Sequence, residues 1–150
     1  VEVIMTKNAC EFITPLTLET LSGNKVITNM FERPDYIEVK HISIAKKADL
    51  FLIIPATANI IGKIANGIAD DMLSTTIIAT KAPVIFAPAM NNGMYENKIV
   101  QNNLQKLKEY GYKIIEPITG YLACGDNAKG KLPPNEEIIN YVKVLIKEKK

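Results

Sequence analysis

The sequence predicts an α/β domain built on a doubly wound parallel sheet. Two observations carry that prediction. The candidate strands are short and apolar on both faces, as at residues 50–54 (LFLII) and 84–86 (VIF). Segments with helical spacing alternate with them. A strand that is apolar on both faces needs cover on both, and alternating helices supply it.

Each element has its own local signals. Residues 1–6 alternate in the manner of a strand. Residues 8–21 have helical spacing, with Phe12, Leu16 and Leu21 apolar and Gly23 as a stop. Residues 26–30 read as a short strand, and Pro34 breaks the chain. Residues 42–48 form a short helix before strand 50–54. The Ala- and Ile-rich segment 59–80 reads as two helices joined near 67–70. Strand 84–86 comes next, then a helix over 98–110 stopped by Gly111, a strand over 112–115 and a last helix over 136–147. No internal repeat, low-complexity tract or linker interrupts the series, and 150 residues fit one domain.

Composition narrows the function classes. A 47% hydrophobic content supplies a core, and a net charge of +2 with scattered basic residues gives no footprint for nucleic acid. Cys10 and Cys124 are the only cysteines, so no disulfide framework is present and a reducing cytoplasm is the expected compartment. No apolar run reaches the roughly 18 residues needed to cross a bilayer. One histidine and two distant cysteines do not make a tetrahedral metal site. Neither a GxxxxGK[ST] phosphate loop nor a GxSxG elbow occurs.

In doubly wound sheets ligands bind at the carboxyl ends of the strands. Here those ends carry Thr6-Lys7-Asn8, Pro55-Ala56-Thr57-Ala58-Asn59, Pro88-Ala89-Met90-Asn91 and, after strand 112–115, Gly120-Tyr121-Leu122-Ala123-Cys124-Gly125-Asp126. Small residues, hydroxyls and amides therefore collect on one rim. Thr57 and Asn59 fall where a helix begins, which suits either plain capping or the holding of a phosphate or polar ring edge. Cys124 sits on a glycine-flanked loop rather than in an apolar element, so its thiol can reach a ligand. Cys10, in an amphipathic segment, reads as core filler. His41 is the only side chain whose unperturbed pKa lies near neutrality. Taken alone, PAMNNGMYEN at 88–97 is ordinary turn chemistry.

The motifs together are specific. His41-Ile42-Ser43-Ile44, PATAN at 55–59, IANGIADDMLS at 64–74, PAMNNGM at 88–94 and LACGD at 122–126 resemble, in that order, the homo-oligomeric flavin-containing Cys decarboxylases. Within that family the phosphopantothenoylcysteine decarboxylases are most similar, and the resemblance covers essentially the whole chain. It implies a Rossmann-like sheet, FMN, and decarboxylation of 4′-phosphopantothenoylcysteine to 4′-phosphopantetheine in coenzyme A biosynthesis. It assigns catalysis to His41, Asn91 and Cys124. Asn91 would clamp the substrate carboxylate, Cys124 would supply the last proton, and His41 would act at the substrate thiol. It places Thr6, Lys7, Thr57, Ala58, Asn59 and Ala89 at the flavin. Met94, Tyr121, Ala123 and Leu132 would line the substrate. It further implies a trimer, or a dodecamer built from trimers, with His41 supplied across the subunit boundary, and a phosphopantothenate–cysteine ligase fused or separate. The low-charge apolar face of residues 60–79 is expected to be buried against a neighbour.

Three departures stand out: Tyr95 where relatives often have Trp, Leu132 where they commonly have Met, and one glycine fewer in the 127–131 flap. The resemblance also implies a βα unit of about thirty residues before Val1. Its strand would be central to the sheet, so a fold without it would strand buried backbone groups at about 1–3 kcal/mol each. The alternatives are a peptidyl-cysteine decarboxylase of lantibiotic type, which lacks the Ala-Cys-Gly loop, a flavin prenyltransferase, which lacks the His and PAMN set, and a non-catalytic regulatory relative. Cys124 and His41 favour the coenzyme A enzyme.

Overall fold

In a computed structural model of the chain, residues 1–31 and 39–148 are described. The break expected at Pro34 lies outside them. In chain order the elements are a 3-10 turn (Asn8–Glu11), α1 (Pro15–Ser22), α2 (Lys40–Lys47), β1 (Phe51–Ala56), α3 (Ala58–Ala65), α4 (Met72–Ala79), β2 (Val84–Pro88), α5 (Asn92–Tyr95), α6 (Lys98–Glu109), β3 (Lys113–Ile114), β4 (Ile118–Tyr121), β5 (Asn127–Lys131) and α7 (Asn135–Glu148). They belong to two compact units, Val1–Lys47 with Ile68–Lys81 and Ala48–Gly67 with Ala82–Lys150.

In the first unit, the two expected strands contract to a single parallel bridge, Ile4 to Ile27. Met5 N–H donates to Ile27 O at 2.9 Å and Ile27 N–H to Val3 O at 3.0 Å. The expected 8–21 helix is split. Pro15 has no N–H to continue an incoming helix, so it opens α1 after an extended Thr14, leaving a separate 3-10 turn before it. Phe12, Leu16 and Leu21 are 91%, 69% and 78% exposed, so the apolar residues of this segment mark no core face within the chain. Helix α2 packs on α4, burying Ile44, Ala45, Met72 and Ile77. Thr80 Oγ1 donates to Ala45 O at 2.7 Å and ties the end of α4 to α2. At the start of α4, Asp71 and Ser74 form a reciprocal capping box, which satisfies N–H groups that the first turn leaves free.

The second unit holds a parallel sheet of order β1-β2-β3. Its register runs from Phe51 opposite Val84 to Ala56 opposite Pro88, shifting between Ile53 and Ala56, where Pro55 has no N–H for the ladder. Every residue of the central strand β2 is buried, as its unbroken apolar run requires. Strand β3 joins through Ile85 opposite Lys113 and Phe86 opposite Ile114. Helices α3 and α6 pack together, α3 burying Ile60, Ile61, Ile64 and Ala65 and α6 burying Leu104 and Leu107. Full burial of one such aliphatic side chain contributes about 1.5–3 kcal/mol. Strands β4 and β5 form an antiparallel hairpin where the sequence suggests a loop.

Candidate active site

The site grows from the carboxyl ends of β1 and β2. Ala89 N–H donates to Ala56 O at 3.2 Å, so the chain leaves the two strands side by side. From β1 it turns into α3. Thr57 caps that helix, its hydroxyl accepting from Ile60 N–H. Ala58 and Ala89 add only methyl groups to this rim, and the exposed Asn59 side chain hydrogen-bonds to no described residue. Two small residues beside a free amide and a hydroxyl suit a flat ring with polar edges.

Beyond Ala89 the chain starts the short helix α5, and Asn91 is its cap. Asn91 Oδ1 accepts from Gly93 N–H at 2.9 Å. A backbone N–H only donates, so it fixes which end of the amide is oxygen. The other end is therefore a donor, and it reaches Cys124 Sγ at 3.4 Å.

Cys124 lies at the tip of the β4–β5 hairpin. Gly125 N–H donates to Leu122 O at 2.9 Å and Leu122 N–H to Asp126 O at 2.8 Å, closing a tight turn. Gly125 has φ 91°, left-handed backbone that favours glycine. This turn exposes Cys124 and brings Asp126 Oδ2 within 3.3 Å of the thiol. The hairpin is held to the end of β2 by Met90 N–H, which donates to Gly130 O at 3.1 Å. Gly130 has φ 146°, and a Cβ there would fall 2.2 Å from Met90 O, so this close approach needs glycine.

A polar cluster braces the same hairpin. Glu116, just after β3, accepts from Tyr95 Oη at 2.6 Å and from Lys108 Nζ at 2.7 Å. Lys129 of β5 lies 3.6 Å from the same carboxylate, and its ammonium stands 5.3 Å from the centre of the Tyr95 ring. Partial burial alone would raise the Glu116 carboxyl, but hydrogen bonds from Lys108 and Tyr95, with the charges of Lys108 and Lys129, hold it below its ordinary value. Burial, and then the bond to Glu116, push the Tyr95 phenol up.

The structure thus brings together Asn91 and Cys124, with Asp126 added, while Thr57, Ala58, Asn59 and Ala89 share the strand-end rim. Met94, Tyr121 and Ala123 are exposed and Leu132 is half-buried, all in this second unit. Thr6, Lys7 and His41 belong to the first unit. Thr6 Oγ1 accepts from Ala9 N–H at 3.2 Å, exposed Lys7 opens the 3-10 turn, and half-buried His41 sits in the first turn of α2. Sequence reasoning assigns no role to Asp126 or Glu116. Glu116 has no local signal, whereas Asp126 lies two residues from a singled-out cysteine. Among the described residues, no group of three or more His, Cys, Asp and Glu side chains is placed to hold a metal ion. Nor, among them, is any helix long and apolar enough to cross a membrane.

A parallel α/β sheet whose strand ends carry small residues, hydroxyls and amides is the setting of a ligand-binding α/β domain. The chain belongs to the Flavoprotein family, whose pattern matches residues 1–147. It is 45% identical to a probable phosphopantothenoylcysteine decarboxylase of Streptococcus mutans, covering 95% of this chain and 80% of that protein. It is 58% identical to the coenzyme A biosynthesis bifunctional protein CoaBC of Borreliella burgdorferi, over 95% of this chain but 36% of that protein. The CoaBC of Bacillus subtilis matches at 51% over 93% of this chain and 34% of its own length. The chain therefore spans about a third of these bifunctional relatives. Among solved structures, a cysteine-to-serine mutant of PPC decarboxylase complexed with pantothenoylaminoethenethiol superposes with a TM-score of 0.85 at 32% identity, covering 96% of this chain and 81% of that one. The FMN-dependent cysteine decarboxylase SpaF superposes with a TM-score of 0.82 at 31% identity, covering 97% and 78%.

Proposed function

We propose that this chain is an FMN-dependent phosphopantothenoylcysteine decarboxylase, converting 4′-phosphopantothenoylcysteine to 4′-phosphopantetheine and CO₂. The observation that supports it most is the contact of the Asn91 amide with the Cys124 thiol beside the strand-end rim. An α-amido acid resists losing CO₂ because the electron pair left behind has nowhere to go. When bound, the flavin supplies reversible two-electron chemistry, withdrawing two electrons from the thiol-bearing carbon so that the resulting C=S group can take up that pair, then returning them.

The protein's part is orientation and proton delivery. The Asn91 amide N–H donates to the substrate carboxylate without a fixed cation that would hold the ground state too tightly. After CO₂ leaves, an enethiol remains. Saturating its C=C takes a hydride equivalent, returned by the reduced cofactor, and one further proton, and the exposed Cys124 S–H is the group placed to give that proton. The enethiol held by the cysteine-to-serine PPC decarboxylase is the species expected where such a donor is lost. Thr57, Ala58, Asn59 and Ala89 receive the flavin, and Met94, Tyr121, Ala123 and Leu132 contact the substrate. Thr6 and Lys7 keep the flavin-phosphate role the resemblance gives them. The proposal includes a trimer or dodecamer in which a neighbouring copy supplies His41, a cytoplasmic location, and a phosphopantothenate–cysteine ligase as fused or separate partner, as the bifunctional relatives' names support.

The test is to measure CO₂ and thiol product from 4′-phosphopantothenoylcysteine with FMN-loaded protein. Wild type should give one saturated thiol per CO₂. Cys124→Ser should release CO₂ and accumulate the unreduced enethiol, whereas His41→Asn should release none. Absence of CO₂ from the wild type overturns the reading. A wild type that stops at an enethiol places the chain with the peptidyl-cysteine decarboxylases instead.

A further inference from the structure

Asp126 is an acidic side chain with no evident structural task. Among the described residues its carboxylate hydrogen-bonds to Cys124 Sγ alone, at 3.3 Å. Its backbone carbonyl, by contrast, closes the hairpin turn by accepting from Leu122 N–H at 2.8 Å. Turn formation thus rests on the backbone of residue 126, which leaves the side chain available for another role.

The thiol is gripped from two sides by groups of opposite kind. Asn91 Nδ2 can only donate, so at 3.4 Å the sulfur accepts from it. An ionised carboxylate can only accept, so the thiol's single proton is directed to Asp126 Oδ2. A sulfur that accepts on one side and donates on the other has its rotamer and its S–H direction both set. An exposed cysteine at a turn tip would otherwise sample several rotamers.

We propose that Asp126 is the positioning residue for the Cys124 thiol, holding the sulfur in place until its S–H turns from the carboxylate to the substrate carbon in the proton transfer that completes the reaction. This rests on the decarboxylase reading above. In that step the S–H bond breaks and a C–H bond forms. Saturating the other carbon of the C=C takes two electrons and a second proton, a hydride equivalent that comes back from the reduced flavin, and the thiolate left behind regains its proton from solvent, which reaches exposed Asp126 and Cys124 directly. Asp126 touches no reacting carbon and acts only through Cys124. Its loss therefore leaves CO₂ release intact and impairs the proton transfer that comes after it.

The experiment compares wild type with Asp126→Asn, Asp126→Ala and Asp126→Glu. CO₂ and saturated thiol are measured separately, and iodoacetamide alkylation of each cysteine is mapped by mass spectrometry. CO₂ release should stay within about twofold, while saturated thiol per CO₂ falls on the order of tenfold for the Asn and Ala variants, as expected for a misaligned donor. Asp126→Glu should recover part of the yield. Cys124 should alkylate several-fold faster in the Asn and Ala variants, because the sulfur is no longer held by the carboxylate at 3.3 Å and samples rotamers open to the reagent. Half-buried Cys10 serves as the folding control and should react at an unchanged rate. A wild-type product ratio and unchanged Cys124 alkylation overturn the assignment, as does loss of CO₂ release together with product. If wild type itself releases no CO₂, the decarboxylase reading falls, while the alkylation arm still decides whether Asp126 governs this thiol.

Discussion

Asn91 Nδ2 donates to Cys124 Sγ at 3.4 Å, a contact between residues 33 positions apart. It joins the end of a buried parallel strand to the tip of an exposed hairpin. Asn91 does two things here: its oxygen caps α5 and its nitrogen faces the thiol. Asn91→Asp separates them. Aspartate caps as well as asparagine, so the fold should hold, with a change in stability under about 1 kcal/mol. The donor, however, is replaced by an acceptor that repels the substrate carboxylate. CO₂ release should fall at least about a hundredfold while flavin binding persists, the scale of losing one preorganised donor. An Asn91→Asp enzyme with near-normal turnover would remove the clamp role.

Gly130 sets how closely the hairpin approaches the end of β2. Alanine there meets two obstacles, a backbone φ of 146° and a contact of 2.2 Å with Met90 O. The second is backbone, which cannot swing away. Gly130→Ala should lower stability by about 1–3 kcal/mol, read as a lower urea midpoint. It should also slow product formation more than flavin binding, because it displaces the hairpin bearing Cys124 and leaves the α3 rim in place. An unchanged midpoint would mean that the clamp yields.

The bracing cluster gives a signed pH dependence. Glu116 is held below its ordinary value of 4.5, so the folded state binds its proton less readily than the unfolded chain does. Its contribution is full above 4.5 and is lost as pH falls through the lowered folded value. The side chain is 49% exposed, so the contribution stays within about 1 kcal/mol. Glu116→Gln should therefore be less stable than wild type near pH 7, with the gap closing in acid. A gap of constant size across urea titrations from neutral pH down to about pH 3, below the ordinary carboxylate value, would show that the charge plays no part.

The buried parts of this fold were legible in sequence, and the exposed parts were not. Strands β1 and β2, and helices α3, α4 and α6, announce themselves because burial forces long apolar runs or a helical stripe. The β4–β5 hairpin carries Thr119, Gly120, Asn127 and Lys129, and its strands gain stability from docking through Gly130 rather than from an alternating apolar face. No periodicity records that. Pro15 was visible, yet the apolar spacing around it suggested one helix where its missing N–H imposes two segments. Asn91 and Cys124 could each be singled out as strand-end chemistry, but their contact could not, since it depends on the hairpin. Asp126, named with the same loop, could be given no role for the same reason.

The strand-end rim supports a last prediction that needs no turnover. The main chain at Ala89 is fixed by its N–H bond to Ala56 O at 3.2 Å, so enlarging the side chain leaves that bond in place. Ala89 is only partly buried and lies just beyond the fully buried strand β2, so the fold is expected to accommodate added bulk there. Ala89→Leu should then fold with nearly wild-type stability and lose the space for a flat ring. Flavin retained through gel filtration, read from its visible absorbance, should drop to on the order of a tenth of wild type, the scale of about 1.4 kcal/mol in binding. Asn59→Ala should weaken retention less, because it removes one polar contact and blocks nothing. If Ala89→Leu keeps its flavin while circular dichroism and urea unfolding match wild type, the ring does not lie against Ala89, and the rim assignment of Thr57, Ala58 and Asn59 must be redrawn around a different face.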